Sequence, residues 1–300
     1  MKIHASVSDR LLVIINYTIL SIVLLLISYP LIYTLSASIS NPISVSSGKM
    51  WLWPVDISFE GFKLVFENDE IWLGYRNTLL YTIVGTLFNL LMTIPCAYAL
   101  AQKKLPGRGL IMRIFMFTMY FGGGLIPTYF LMRDLNLIDK PLAMIIPSGA
   151  SVMNIIIART FFVSTIPAEL EDSAEIDGCS PLRCFIRIVV PLSKSIIAII
   201  ALYYAVGHWN SYFNAMIYLS NRKYFPLQLF LREILIDQQM ILQMMESGGA
   251  DDSNTVLEQM KMAETVKYAT MIVSSLPLLA AYPFLQRYFV KGLMIGSIKG

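Results

Sequence analysis

Residues 11–30 read LLVIINYTILSIVLLLISYP and contain no charged side chain. A helix of about 20 apolar residues spans the roughly 30 Å of hydrocarbon in a bilayer. This stretch is therefore long enough to cross a membrane. It is too long for the apolar part of a cleavable signal peptide, and no small-residue cleavage site follows it promptly, so we expect the helix to remain in the protein.

The rest of the chain has the same apolar character. Of its 300 residues, 56% are hydrophobic and 14% are charged, whereas soluble domains carry roughly 25% charged residues. The charge-free stretches long enough for a crossing are 11–48, 77–102, 114–132, 141–158, 195–221 and 268–286. The composition excludes a soluble protein and predicts an all-α integral membrane protein with six transmembrane helices.

The distribution of Lys and Arg predicts the orientation, because positive charge is retained on the cytoplasmic side. Lys103, Lys104 and Arg108 lie together between the second and third stretches, and we expect this loop to be cytoplasmic. Six crossings then place both termini in the cytoplasm, with residues 1–10 as the N-terminal segment and residues 11–300 as a single transmembrane domain. The net charge of +3 follows from this topology, so nucleic acid is not an expected partner.

Two longer segments are predicted on the extracytoplasmic side, at about residues 41–75 and 222–265. The first contains Trp51 and Trp53, which are typical of anchors at the lipid interface. The second contains an amphipathic run from Phe230 to Met245. That run fits a cap over a cavity or a docking site for a partner, and equally a solvated loop.

The segment at about residues 160–194 is predicted to be cytoplasmic and is too long for a simple connection. Acidic residues run from 169 to 177, and Gly178 is suited to end a helix because glycine readily takes the left-handed conformation. Ser180 and Pro181 then suit the start of a second helix. The pattern predicts a helix, a sharp bend and a helix, available either to a partner protein or only to solvent.

This segment resembles the EAA loop of binding-protein-dependent ABC importer permeases. The resemblance rests on ELEDSAEIDGC at 169–179 and IVVPL at 188–192, and it extends to WNSYF at 209–213, FPLQL at 225–229 and YPFLQRYFVKG at 282–292. Asp172, Ser173 and Ala174 stand where Glu-Ala-Ala is usual. The later motifs are similar to those of the carbohydrate-uptake branch, such as the second maltose-permease subunit and the permeases for complex saccharides.

The resemblance implies one permease subunit of a carbohydrate importer in the bacterial plasma membrane. It implies a homologous second permease, two ATPase subunits that bind ATP and Mg²⁺, and an extracytoplasmic solute-binding protein. The bent segment would be the coupling helix that docks into an ATPase, with either Glu171 or Asp172 as the main acid of the contact. The residues implied in coupling are Glu169, Glu171, Asp172, Ser173, Ala174, Asp177, Gly178 and Pro191.

A sugar path needs polar groups for hydroxyls and aromatic faces for the pyranose ring. The fifth stretch supplies both kinds within a few turns, and polar residues inside a membrane usually face a cavity or another helix. The candidates are Tyr204, His208, Trp209, Asn210, Tyr212 and Asn214. Hydrogen bonding between helices explains the same residues equally well, and for Asn89 and Asn154 it is the preferred interpretation.

The chain is predicted to have no enzymatic activity and no cofactor of its own. It lacks a GxxxxGK[ST] phosphate loop, and Gly122–Gly124 has no lysine to reach phosphates, so this run is interpreted as a break in the third helix. Three cysteines without a CxxC or Cys/His pattern predict neither a disulfide framework nor a metal site. An ion-coupled transporter or channel is the alternative, but it would need an acid or base inside a crossing, and every Asp and Glu lies outside the six stretches.

Overall fold

The structure is a computed structural model, and it describes residues 7–246, 266–283 and 286. Within these ranges the chain is helical, and its only β pairing is one isolated bridge between Ser40 and Ile57. The predicted all-α class is therefore confirmed. The predictions for the C-terminal tail and for the end of the 222–265 segment lie outside the described residues. The contacts define two compact units, Met1–Asp69 with Leu231–Ser275 and Glu70–Phe230 with Leu276–Gly300.

The first unit contains the long N-terminal helix α1 (Val7–Ser38) and the short helices α2 (Pro42–Ser46) and α3 (Glu60–Glu67). Ser8–Ser38 is long and apolar enough to cross a membrane, and its most apolar part is 0% buried inside the protein. A long helix that is apolar on all sides is typical of a membrane span. At its end, Ala37, Val45 and Met50 form a small core.

The helices of the remaining chain are numbered in order. They are α4 (Asp69–Ala101), α5 (Arg108–Tyr120), α6 (Leu125–Asp134), α7 (Val152–Thr165), α8 (Ala168–Ile176), α9 (Pro181–Cys184), α10 (Val190–Leu192), α11 (Lys194–Trp209), α12 (Phe213–Tyr218), α13 (Leu227–Glu246) and α14 (266–283).

Several of the predicted crossings are not single straight helices. The third stretch is broken after Phe121, and α5 and α6 meet there at 111°. Gly124 at this break has φ of +84°, a conformation that side chains with a Cβ rarely adopt. The predicted break at the three glycines is therefore present. Among the described residues, two helices are long and apolar enough to cross, or four if each strongly bent pair counts as one span; the six-helix count stays a prediction.

The core of the second unit lies between α4, α7 and α11. Ala97 of α4 and Ala158 of α7 are both 0% exposed. Small residues allow helix backbones to approach closely, which is how membrane helices pack without a hydrophobic driving force between them. Ile200 of α11 completes this core. The packing fixes α4 against α7, which leads into the bent segment, and against α11, which carries Tyr204, His208 and Trp209.

Candidate functional site

The bent segment, residues 168–192, contains the two helices and the turn expected from the sequence. α8 ends with backbone hydrogen bonds from the N–H of Gly178 to the carbonyl of Glu175 (3.0 Å) and from the N–H of Cys179 to the carbonyl of Ala174 (2.9 Å). Gly178 has φ of +74°. This pair of bonds around a left-handed glycine is a Schellman motif, and it satisfies carbonyl groups that the end of a helix leaves free.

The second half of the bent segment begins at Pro181 and continues to Leu192. Ser180 precedes it in an extended conformation at the N-cap position, although its side chain makes no capping hydrogen bond. Residues Phe185–Val189 form a π-helical turn, in which the N–H of Val190 donates to the carbonyl of Phe185. Pro191 has no N–H to donate to the carbonyl four residues earlier, and a π turn accommodates that loss within a continuous helix.

The acidic face of α8 contacts a lysine of the same chain. Nζ of Lys104 lies 2.5 Å from Oε2 of Glu175 and 3.6 Å from Oδ1 of Asp172. The hydrogen bond lowers the pKa of the Glu175 carboxyl and raises the pKa of the Lys104 ammonium. All three side chains are more than half exposed. Asp172, which the sequence suggested as an acid for a partner protein, thus already has a weak contact within the chain.

The other predicted coupling residues have different surroundings. Ala174 is 7% exposed and joins the core between α4 and α7, so it fixes α8 to the membrane helices. Ser173 donates its hydroxyl to the carbonyl of Glu169 (2.7 Å). Asp177 occupies the C-cap position and is exposed. The side chain of Glu171 lies outside the described residues.

A cavity of about 650 Å³ opens beside the start of α8. Its wall includes Tyr98 at the end of α4, Phe162 of α7 and Lys104. The Tyr98 ring also stacks on Phe185 at a centroid distance of 5.0 Å and meets Phe162 edge-on at 5.7 Å. Tyr98 therefore joins α4 and α7 to the bent segment.

Two of the predicted path residues bond to neighbouring elements. The hydroxyl of Tyr204 shares a 2.7 Å hydrogen bond with Thr93 and accepts a 2.8 Å bond from the N–H of Ser151. Nε2 of His208 lies 2.7 Å from Oδ1 of Asn89, and both side chains are buried. For these residues the geometry supports hydrogen bonding between helices, the alternative that the sequence left open.

The remaining path candidates cluster where α11 ends. Trp209 is 3% exposed and meets Tyr75 edge-on at 6.2 Å. Asn210 is exposed and donates to the carbonyl of Val206 (3.0 Å), while Tyr212 is 42% exposed and Asn214 is half-buried. The six candidates thus do not form one polar wall: three are packed inside the unit, and three lie around the break between α11 and α12.

Sequence reasoning missed a further pair of polar groups on α4. The hydroxyls of Thr82 and Thr86 are buried, and neither has a hydrogen-bond partner among the described residues. They lie one turn apart, hence on one face of the helix. Threonine is common in apolar helices, so no sequence signal distinguishes these two.

The family model for the binding-protein-dependent transport system inner membrane component matches residues 71–295. The chain belongs to this family. The resemblance seen in the bent segment is thereby confirmed, and with it the placement of the chain among ABC transporter permeases of the membrane.

Several relatives match nearly end to end. Protein LplC of Bacillus subtilis (strain 168) is 36% identical over 271 residues, which cover 90% of this chain and 89% of that protein. The polygalacturonan/rhamnogalacturonan transport system permease protein YtcP of the same organism is 36% identical over 293 residues, covering 97% of this chain and 99% of that protein. A chain in the crystal structure of a bacterial ABC transporter involved in the import of the acidic polysaccharide alginate is 34% identical, with a TM-score of 0.84 over 96% of this chain and all of that one.

Proposed function

We propose that this chain is one permease subunit of an ATP-driven importer of oligosaccharides in the bacterial plasma membrane. The observation that carries the proposal is the near end-to-end match to YtcP, whose name states polygalacturonan and rhamnogalacturonan transport, together with the similar alginate importer. Both of those proteins handle polymers that contain acidic sugars. Oligosaccharides with acidic units are therefore the first substrates to test.

The bent segment is the proposed docking element for an ATPase. Ile176 at the end of α8 is 86% exposed and Leu182 just beyond the turn is 68% exposed. Large apolar side chains at such exposure, beside a rigid turn, suit burial in a groove of a partner. A helix with a fixed bend also transmits a displacement better than a flexible loop does.

The rest of the proposed assembly follows the family. A homologous second permease completes the path, and an extracytoplasmic solute-binding protein delivers the sugar. ATP and Mg²⁺ bind to two separate ATPase subunits, so this chain needs no cofactor and performs no hydrolysis. The termini and the bent segment lie in the cytoplasm in this proposal, as the basic loop at Lys103 and Lys104 suggests.

The proposed path passes the break between α11 and α12. Asn210, Tyr212 and Asn214 offer amide groups and an aromatic face there, with side chains that are not fully packed. The buried bonds of Tyr204 and His208 support the helices around this path.

The test of the function is uptake by the reconstituted assembly. The chain is co-expressed with its second permease, ATPase and binding protein, and proteoliposomes are supplied with labelled neutral and acidic oligosaccharides. Uptake should require ATP on the side of the membrane that carries the ATPase, and the binding protein on the opposite side. Uptake by the chain without ATPase, driven by an ion gradient, would instead establish the ion-coupled alternative.

A cross-linking experiment tests the docking element. In a background without Cys96, Cys179 and Cys184, Ile176→Cys should cross-link to the ATPase with a short bifunctional reagent. Leu87→Cys is the control, because Leu87 is also exposed (59%) but lies midway along α4. Equal yields from the two positions, or none from Ile176→Cys in an assembly that retains its ATPase, would reject the proposed contact.

A further inference from the structure

The segment that follows α1 buries several polar side chains and exposes large apolar ones, the opposite of a loop in water. We name residues 36–59 the foot. Four of its serines, Ser36, Ser38, Ser40 and Ser44, are buried, with exposed fractions of 3–5%. Its large apolar side chains point outward, with exposed fractions of 74% for Trp51, 74% for Trp53 and 64% for Phe59. A solvated loop has the opposite arrangement, because exposed apolar surface in water is unfavourable.

Hydrogen bonds fix the foot to the last turn of α1. The hydroxyl of Ser36 donates to the carbonyl of Leu52 (2.7 Å), between the two tryptophans. The hydroxyl of Ser40 accepts a hydrogen bond from the N–H of Val55 (3.1 Å), and the carbonyl of Val55 accepts one from the N–H of Asn41 (3.2 Å). The N–H of Ser58 donates to the carbonyl of Ile39 (3.0 Å). The buried serines therefore hold the tryptophans at a set height beside the end of α1.

A second contact layer makes the foot rigid. Ser44 of α2 donates to Oδ2 of Asp56 (2.9 Å), and the N–H of Met50 donates to the carbonyl of Ser44 (3.0 Å). Met50 and Val45 are buried beneath the tryptophans' segment. The hydroxyls of the buried serines are thus bonded within the foot and the last turn of α1, while Trp51, Trp53 and Phe59 stay exposed.

We propose that the foot lies in the lipid headgroup interface, with Trp51 and Trp53 inserted at the boundary of the hydrocarbon. The occupant of this surface is lipid because the foot continues directly from α1, the helix whose most apolar part has no burial within the protein. The indole ring has an apolar body and an N–H donor, and it is favoured at headgroup depth. Lys49, exposed next to Trp51, can reach the phosphates. The inference concerns the whole folded segment and does not depend on the transported substrate.

The proposal is tested by tryptophan fluorescence in vesicles of phosphatidylcholine. The difference between the emission of the wild type and that of the Trp51→Phe, Trp53→Phe double variant isolates these two side chains from Trp72 and Trp209. Bromine atoms on the upper part of the acyl chain should quench this difference spectrum strongly, and bromine atoms near the chain end should quench it less. Aqueous acrylamide should have little effect on it.

The control is Trp209→Phe, since Trp209 is 3% exposed and packs on Tyr75. Its difference spectrum should respond little to either quencher. If the double variant does not elute as a folded protein, the two single variants give the same comparison one side chain at a time. Strong acrylamide quenching of Trp51 and Trp53 with no effect of brominated lipid would overturn the proposal, because the foot would then face water or a soluble partner.

Discussion

The substitution Gly85→Ala tests whether His208 is fixed against α4. A Cβ at Gly85 would lie 2.4 Å from Nε2, 2.5 Å from Cε1 and 2.9 Å from Cδ2 of His208. Ordinary carbon contacts are at roughly 3.5–4.0 Å, so the ring must move by about 1 Å. That movement breaks the 2.7 Å hydrogen bond between Nε2 and Oδ1 of Asn89.

The magnitude follows from the packing. Inserting a methyl group into a closed core costs about 1–3 kcal/mol. Leaving the buried Asn89 oxygen without a partner costs roughly another 1–3 kcal/mol. Alanine regains about 1 kcal/mol over glycine in a helix. The net expectation is a loss of about 1–5 kcal/mol of stability.

The assay is the apparent melting temperature of the purified protein in detergent, measured by size-exclusion fluorescence, together with the import rate. Gly207→Ala is the matched control, because Gly207 lies in α11 beside His208 and its Cβ would have no neighbour within 4 Å. Gly85→Ala should melt lower than wild type and import more slowly, whereas Gly207→Ala should melt at or above wild type. Equal melting temperatures for the two variants, with normal import by both, would refute the tight contact.

Substitutions at three further sites test the other contacts. Gly178→Val should abolish import because a β-branched residue at a φ of +74° costs roughly 1 kcal/mol or more, whereas Gly178→Asn, which tolerates that conformation, should retain most of it. Lys104→Glu and Glu175→Lys should each slow import, and the double variant should restore part of it, because the new glutamate also faces Asp172. The lowered pKa of Glu175 keeps the wild-type pair intact above the ordinary Glu pKa of about 4.3, and the pair fails as the pH falls below that range. The raised pKa of Lys104 keeps the pair until the pH rises beyond about 10.4. Asp139→Ala should loosen the loop at Ser220 and Asn221, whose backbone N–H groups donate to the Asp139 carboxylate at 3.0 and 2.8 Å, and amide hydrogen exchange there should become faster. Asn136→Ala is the control, because Asn136 has a similar left-handed backbone, with φ of +54° against +57° at Asp139. The pKa of Asp139 is lowered by the two hydrogen bonds, so wild-type protection should persist at neutral pH and decline only in acid.

The bent segment was predictable because its signals are local. Gly178 ends one helix and Pro181 starts the next, and each effect depends on the backbone of a few adjacent residues. The assignment to membrane proteins was equally predictable, since it depends only on the number of consecutive apolar residues. Local rules therefore gave the shape of this element without any knowledge of its neighbours.

The partners of the polar residues were not predictable in the same way. Tyr204 bonds Thr93, which is 111 positions away, and His208 bonds Asn89, which is 119 positions away. A single sequence contains no signal for such pairs, because any buried hydroxyl or amide can satisfy another. The abrupt bend between α5 and α6 was only partly predictable. The three glycines predict a break in the helix, but hydropathy contains no information about the direction that the backbone takes after it.

The same contacts separate two roles within the fifth apolar stretch. Tyr204 and His208 bond directly to α4, so a change at either position alters helix packing and transport together. Tyr212 has a side chain that is 42% exposed, at the break where α11 ends. Its removal leaves the bonds between α4 and α11 intact. If a substitution of Tyr212 slows import without lowering stability, the effect belongs to the path itself. Substitutions of Tyr204 or His208 cannot show this, because their packing contributes to both import and stability.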